Sequence, residues 1–189
     1  VAQRPLLIVP PCINKFYILD LQPKNSFVRY AVEQGFTVFL MSWRNVKDAQ
    51  GTLGWDEYLD DGILNAIGIV QDICKVKQIN ALGFCVGGTM LTSALAVAQA
   101  RGESPVASLT LLTSLLDFST PGDLGVFVND AVIKSHEARI GKGGILPGRE
   151  LSAVFSALRA NDLIWQYVVG NYLKGGRPAP FDLLYWNSD

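Results

Sequence analysis

A parallel α/β sheet followed by a largely helical cap is the architecture this sequence predicts, on three observations. Apolar runs of strand length alternate with helix-length segments through the first 117 residues, the pattern of crossover units in a parallel sheet. One run leads straight into a glycine-flanked turn and then a helix, at Gly83-Phe84-Cys85-Val86-Gly87-Gly88. Past Asp117 the strand signals stop, and helical segments separated by Pro121-Gly122 and Gly141-Lys142-Gly143-Gly144 take over.

Each element has a local reason. Pro5-Leu6-Leu7-Ile8-Val9 is a continuous apolar run, as a strand buried on both faces requires. Pro10-Pro11 ends it, because proline cannot donate to a ladder. A helix is expected from about 26 to 34, with Asn25 or Ser26 as N-cap and Gly35 as terminator. Residues 37–43 form the second strand. A longer helix follows from near Trp55 to about Lys75. Its face is marked by Leu59, Ile63, Ala66, Ile67, Val70 and Ile73 at spacings of three and four. The third strand spans 79–82. Its helix closes at Arg101-Gly102, a cation for the dipole and a glycine for the left-handed cap. Residues 108–113 make a fourth strand, and 149–158 and 162–173 read as helices.

Composition narrows the function classes. The chain has 189 residues, 49% hydrophobic and 17% charged, enough for a substantial interior. A net charge of −1 makes no electrostatic case for nucleic acid or an anionic membrane surface. No apolar run approaches the length of a bilayer span, so no transmembrane segment is expected. Three cysteines, an odd number, argue against a disulfide framework and suit a reducing cytoplasm. With one histidine, His136, and abrupt ends, the chain reads as a fragment.

The chemistry centres on Cys85. Strand, tight turn and helix are the setting of a nucleophile elbow, with cysteine at the place of the usual serine. This identifies the fold as a partial α/β-hydrolase fold. At the start of a helix, unpaired amides stabilise a thiolate. Sulfur is both a good acyl acceptor and a good leaving group, so cysteine suits acyl transfer better than hydrolysis. The competing interpretation is a small buried residue in a turn. The elbow supplies one oxyanion donor, the N–H of Val86. The second is expected from the loop Pro11-Cys12-Ile13-Asn14, which could equally be a plain proline-rich turn. Cys12 is expected to line the pocket, and Cys74 to be core.

The base is missing from this pattern. A triad on this fold runs nucleophile, acid, histidine, with histidine beyond the last strand. His136 falls in the cap region and reads better as a cap-packing or solvated residue. Asp117 could serve as the acid or cap a turn. Asp56-Glu57 and Asp60-Asp61 complement a helix dipole, and no metal site is expected, since no histidine or cysteine accompanies them. Trp43-Arg44-Asn45 fits a strand-end turn better than an anion contact.

Taken together these segments resemble the catalytic domain of polyhydroxyalkanoate synthases, which polymerise 3-hydroxyacyl-CoA. The resemblance is carried by Pro10-Pro11-Cys12-Ile13-Asn14-Lys15-Phe16-Tyr17-Ile18-Leu19-Asp20-Leu21, by Ser42-Trp43-Arg44-Asn45 and by the lipase-like box at 83–88. Asn171-Tyr172-Leu173 and Phe181-Asp182-Leu183-Leu184-Tyr185-Trp186-Asn187 add to it. It runs over nearly the whole chain and is weakest at about 119–148. Cysteine in the Pro-Pro-Cys-Ile-Asn segment and Phe-Cys-Val-Gly-Gly in the box resemble the single-subunit, short-monomer class (class I).

The resemblance implies an acyltransferase that polymerises 3-hydroxybutyryl-CoA or a close analogue with release of coenzyme A. Cys85 would hold the growing chain as a thioester, with Val86 and Ile13 as oxyanion donors and no cofactor. It implies a core over 1–117, a cap over 118–189 that is incomplete, and a remainder of the core C-terminal to it. The catalytic aspartate and histidine would lie beyond residue 189, leaving this fragment inactive alone. Homodimerisation through the cap and association with cytoplasmic polyester granules are implied as well. Two alternatives carry different expectations. A cysteine hydrolase of the dienelactone-hydrolase type would lack a cap and place a histidine soon after its last strand. A non-catalytic granule-docking homologue would lack the downstream acid and base.

Overall fold

The computed structural model describes residues 3–13 and 16–177. Two compact units divide the chain: residues 1–46 with 52–118, and residues 47–51 with 119–189.

The first unit is built on four parallel strands, β1 (Leu6–Val9), β2 (Val38–Leu40), β3 (Ile79–Phe84) and β4 (Val106–Leu112), in the order β2-β1-β3-β4. Register pairs Leu6 with Val38 and Asn80, and Val9 with Gly83. Alternation along β1 sends Leu6 and Ile8 to one face and Leu7 and Val9 to the other, and all four are buried. Helix α1 (Phe27–Glu33) covers the first face, where Ala31, Phe27 and Val28 pack with Leu6, Ile8 and Leu82. On the second face lies the helical run α2 (Trp55–Glu57), a π-helical stretch Tyr58–Leu64 and α3 (Asn65–Cys74), together with α4 (Val86–Ala100). Leu59, Ile63, Ile67, Val70, Met90, Leu91 and Ala94 join Leu7, Val9, Ile79 and Ala81 there.

Helix ends follow the sequence signals closely. Ser26 Oγ accepts the N–H of Arg29 at 2.8 Å, making Ser26 the N-cap of α1. At its end Gly35 takes φ +88°, with Gly35 N–H donating to Val32 and Phe36 N–H to Ala31, a Schellman closure. The same closure ends α4, with Gly102 at φ +78° and N–H bonds from Gly102 to Gln99 and Glu103 to Ala98.

Four expectations need correction. The second strand is shorter than residues 37–43, although Met41 N–H still donates to Ile8 at 3.0 Å. The fourth strand ends at Leu112, because Thr113 turns to φ +47°. Ile73 is 63% exposed, since the buried stripe of α3 runs through Ile67 and Val70 toward the partly buried Cys74. Cover on both faces holds at β1 and β3, whereas residues 107–110 of β4 are exposed.

In the second unit, α5 (Asp130–Ile140) and α6 (Gly148–Leu158) precede π-helical segments at Asn161–Trp165 and Val168–Leu173. Helix α5 does not announce itself by apolar periodicity, because Val132, Ile133 and Ile140 do not recur at spacings of three and four. Its signals are polar: Asn129 Oδ1 caps the N–H of Val132 at 3.0 Å, Asp130 opens it and Arg139 closes it. Residues 47–51 group with this unit, and a methyl group on Gly51 would approach the backbone of Gly144 to 2.9 Å. The segment Phe181-Asp182-Leu183-Leu184-Tyr185-Trp186-Asn187 lies outside the described residues, as do Asn14 and Lys15.

Candidate active site

The crossover helices change side of the sheet between β1 and β3, since α1 lies on one face and α3 and α4 on the other. In parallel sheets the crevice outside the strand C-termini at such a switch point is where ligands bind. Strand β1 leaves the sheet there as Pro10-Pro11-Cys12-Ile13, and β3 leaves it there as Cys85.

Cys85 occupies φ +54°, ψ −129°, a conformation that L-residues rarely adopt. Holding a non-glycine residue there costs on the order of 1–3 kcal/mol and needs support from surrounding structure. That support is visible. Cys85 N–H donates to Leu112 O at 2.9 Å, and Cys85 O accepts from Gly88 at 2.9 Å and Thr89 at 3.4 Å. The box glycines make the turn possible. A methyl group on Gly83 would run into Gly88 Cα and approach Gly88 N to 2.9 Å. On Gly87 it would meet Val9 O and lie 2.6 Å from both atoms of the Pro10 carbonyl. On Gly88 it would strike Ser114 Oγ, with Ser114 Cβ at 2.8 Å. The side chain of Cys85 is left partly exposed above the sheet end.

Val86 is the first residue of α4, so its N–H belongs to the turn whose amides have no acceptor within the helix. Ile13 lies in the bend after β1, 36% exposed, three residues past the fully buried Pro10. The loop is thus anchored by two buried prolines and presents Cys12 and Ile13 outward.

Desolvation pushes the Cys12 thiol above its ordinary range; a backbone hydrogen bond offsets part of this, and charge on Cys85 adds to it. The Tyr58 hydroxyl is raised by burial and then by charge on Cys12. Cys12 therefore sits in electrostatic reach of both Cys85 and Tyr58. A raised thiol ionises less readily, which makes it a weaker nucleophile than an unperturbed one.

The remaining sequence candidates fall elsewhere. His136 lies on α5 in the second unit, close enough to Glu150 to act on its carboxyl, which Arg139 pairs at 2.7 Å. Asp117 is exposed, five residues past the end of β4. Glu57 accepts the N–H of Gly54 at 2.7 Å, and Asp60 accepts from the two terminal guanidinium nitrogens of Arg101, at 2.8 and 3.0 Å. The acidic run thus caps a helix and ties it to α4. No group of three or more metal-ligating side chains occurs among the described residues.

Two side-chain contacts matter that sequence patterns did not foresee. Trp43 Nε1–H donates to Pro10 O at 2.8 Å across 33 positions. Thr89 Oγ1–H donates to Leu115 O at 2.7 Å, tying the elbow helix to the segment after β4. Neither pairing has a local signal.

A family model described as the poly-beta-hydroxybutyrate polymerase (PhaC) N-terminus matches residues 1–31. The poly(3-hydroxyalkanoate) polymerase subunit PhaC of Cupriavidus necator is 56% identical over all of this chain and 33% of its own length. The subunit of the same name from Rhizobium meliloti is 48% identical over all of this chain and 31% of its length. Poly(3-hydroxyalkanoate) polymerase 1 of Ectopseudomonas oleovorans is 41% identical over all of this chain and 34% of its length. The chain spans about a third of the length of these curated relatives.

Proposed function

The chain belongs to the family of the poly(3-hydroxyalkanoate) polymerases, and from that kinship we propose that it carries the acyl-accepting half of an acyltransferase site. The observation that carries the reading is Cys85 at φ +54° on an elbow between β3 and α4, at the switch point of the sheet. An α/β-hydrolase fold completed by residues outside this chain is part of the same proposal.

In the first step the Cys85 sulfur attacks the carbonyl carbon of a 3-hydroxyacyl-CoA. Negative charge gathers on the carbonyl oxygen, where the N–H groups of Val86 and Ile13 stabilise it. The intermediate collapses with cleavage of the bond to the coenzyme A sulfur, which leaves as thiolate and takes up a proton. In the second step the hydroxyl of another acyl unit gives its proton to a base, attacks the thioester carbonyl and expels the Cys85 sulfur. One ester bond forms for each thioester broken. Base and acid, a histidine and an aspartate, come from residues outside these 189.

Identity is higher to the Cupriavidus protein than to the Ectopseudomonas one. Independently of those identities, Cys12 and the Phe84-Cys85-Val86-Gly87-Gly88 box resemble the single-subunit, short-monomer class, which favours 3-hydroxybutyryl-CoA as substrate. Free coenzyme A is the leaving group, and no further cofactor enters. Residues from about 118 onward form the cap and the homodimer contact, and the protein works at the surface of cytoplasmic polyester granules. No described helix is long and apolar enough to cross a membrane.

Mass spectrometry of the full-length protein incubated with a non-extendable acyl-CoA analogue tests the central claim. A single acyl adduct on the peptide containing Cys85 is expected, and Cys85→Ala should lose it entirely. Acylation that survives Cys85→Ala overturns the reading.

A further inference from the structure

We infer that Trp43 is a positioning residue for the oxyanion hole, acting through the carbonyl of Pro10. The role rests on the acyl-transfer reading above, since it concerns the loop that offers Ile13.

The argument begins with the loop's covalent stiffness. In Pro10-Pro11 both φ angles are locked near −65° by their rings, and neither residue has an N–H. The direction in which the chain leaves β1 is therefore set by two torsions, ψ of Pro10 and ψ of Pro11. The first rotates the peptide plane that contains the Pro10 carbonyl. Whatever fixes that oxygen fixes the plane, and with it the first of the two torsions on the path toward Cys12 and Ile13.

The oxygen is fixed from two sides. Trp43 Nε1–H donates to it at 2.8 Å. Against it from the elbow stands Gly87, where a single added carbon would come within 2.6 Å of the same carbonyl. The Pro10 carbonyl is thus the joint between the loop, the end of β2 and the first turn of α4. Of these, the loop and the first turn of α4 carry the two proposed oxyanion donors, Ile13 and Val86.

The indole is itself held. Its ring lies 5.6 Å from the Tyr58 ring at an interplanar angle of 38°. Gly62 leaves room for it, since a methyl group there would fall 3.0 Å from the six-membered ring of the indole. Both supports come from the π-helical stretch Tyr58–Leu64, whose Leu59 and Ile63 are buried in the core. A rigid core, a braced indole and a locked carbonyl form one chain of contacts that ends at the loop. Such a bond aims a catalytic donor without touching the substrate, and errors of about 1 Å in such placement cost on the order of 100-fold in rate.

The test replaces Trp43 in the full-length protein by 3-benzothienylalanine, which keeps the bicyclic shape and exchanges the N–H for sulfur. Trp43→Phe serves as a second variant. Single-turnover acylation of Cys85 by a non-extendable acyl-CoA analogue is measured per titratable Cys85 thiol. The infrared carbonyl stretch of the acyl-enzyme is recorded with a 13C label. The benzothienyl variant should acylate between about 10- and 100-fold more slowly at saturating analogue, with the half-saturation concentration unchanged. Its acyl carbonyl stretch should move to higher frequency, because a weaker oxyanion hole polarises the bond less. Trp43→Phe should shift both in the same direction. Acylation at the native rate with an unmoved carbonyl band overturns the role, as does a loss confined to half-saturation. Native protein that never acylates Cys85 overturns instead the functional reading on which the role depends.

Discussion

The two units of this chain are held together in different ways. Every buried hydrophobic side chain among the described residues lies between Leu6 and Ala98, in the sheet unit. In the helices of the second unit no residue is fully buried, and Val126, Trp165 and Tyr172 are 77%, 57% and 85% exposed. Its apolar stripe on α6, Leu151, Val154, Phe155 and Leu158, is only partly buried, beside polar contacts at the Asn129 cap, the Arg139–Glu150 pair and the Arg159–Asp162 pair. Exposed ion pairs of this kind contribute little to stability. The difference teaches where a strained site can be kept. Cys85 at positive φ needs surroundings that over-determine it, and a close-packed sheet core provides them.

The sharpest way to break that view is at the contact between elbow and loop. Gly87→Ala would drive a methyl group into the carbonyls of Val9 and Pro10, neither of which can move without disturbing β1. Single-turnover acylation of the full-length protein should fall at least about 100-fold, the scale of losing an oxyanion donor. Gly68→Ala, on α3 with nothing within 4 Å of the added carbon, is the control. It should leave acylation unchanged and raise stability by about 0.5–1 kcal/mol through helix propensity. Equal behaviour of the two glycines would mean that the elbow is not confined by its core.

The packing contrast itself comes next. Ile63→Ala removes a fully buried side chain from the centre of the sheet's second face. It should cost about 2–5 kcal/mol in denaturant unfolding of the full-length protein. Val126→Ala, on a residue that is 77% exposed, should stay within about 0.5 kcal/mol. A comparable loss at Val126 would show that the second unit is buried by residues outside this chain.

The smallest effect concerns the pair between Asp60 and Arg101. Hydrogen bonds from Arg101 hold the Asp60 carboxyl below the usual carboxylate range. A depressed folded-state value stabilises above the unfolded carboxylate value near about 3.9, and the stabilisation is lost as pH falls through the folded value. Asp60→Asn should therefore be slightly less stable than the native protein at pH 7, and the gap should close in acid. Both groups are half exposed, so raised salt should shrink the gap at neutral pH. A gap that widens in acid would reverse the assignment.

Much of this molecule was legible along the chain, because the signals are local. Apolar runs bounded by proline and glycine located β1, β3 and α4. Gly35 and Gly102 marked helix ends that close as such glycines close helices. The Gly-x-Cys-x-Gly-Gly spacing located the elbow, since only glycine tolerates the approach of Gly83 to Gly88. Periodicity failed at α5, where Val132, Ile133 and Ile140 do not fall at spacings of three and four. It also failed at Ile73, where the buried stripe drifts away along α3.

What tertiary structure alone decided is which distant groups meet. Trp43 and Arg44 read alike as strand-end residues. Folding sends the indole N–H to Pro10 across 33 positions and leaves Arg44 exposed. Asp60 looked like a dipole-complementing carboxylate until Arg101 reached it across 41 positions. Cys12 acquired a neighbour in Cys85 only because β1 and β3 lie side by side. Local backbone preference is written in a few consecutive residues, so the kind of each element and the strained turn at Cys85 could be read from the sequence by itself. Strand order and side-chain partners are chosen by burial and hydrogen-bond satisfaction over the whole core, and no short window of sequence contains that competition.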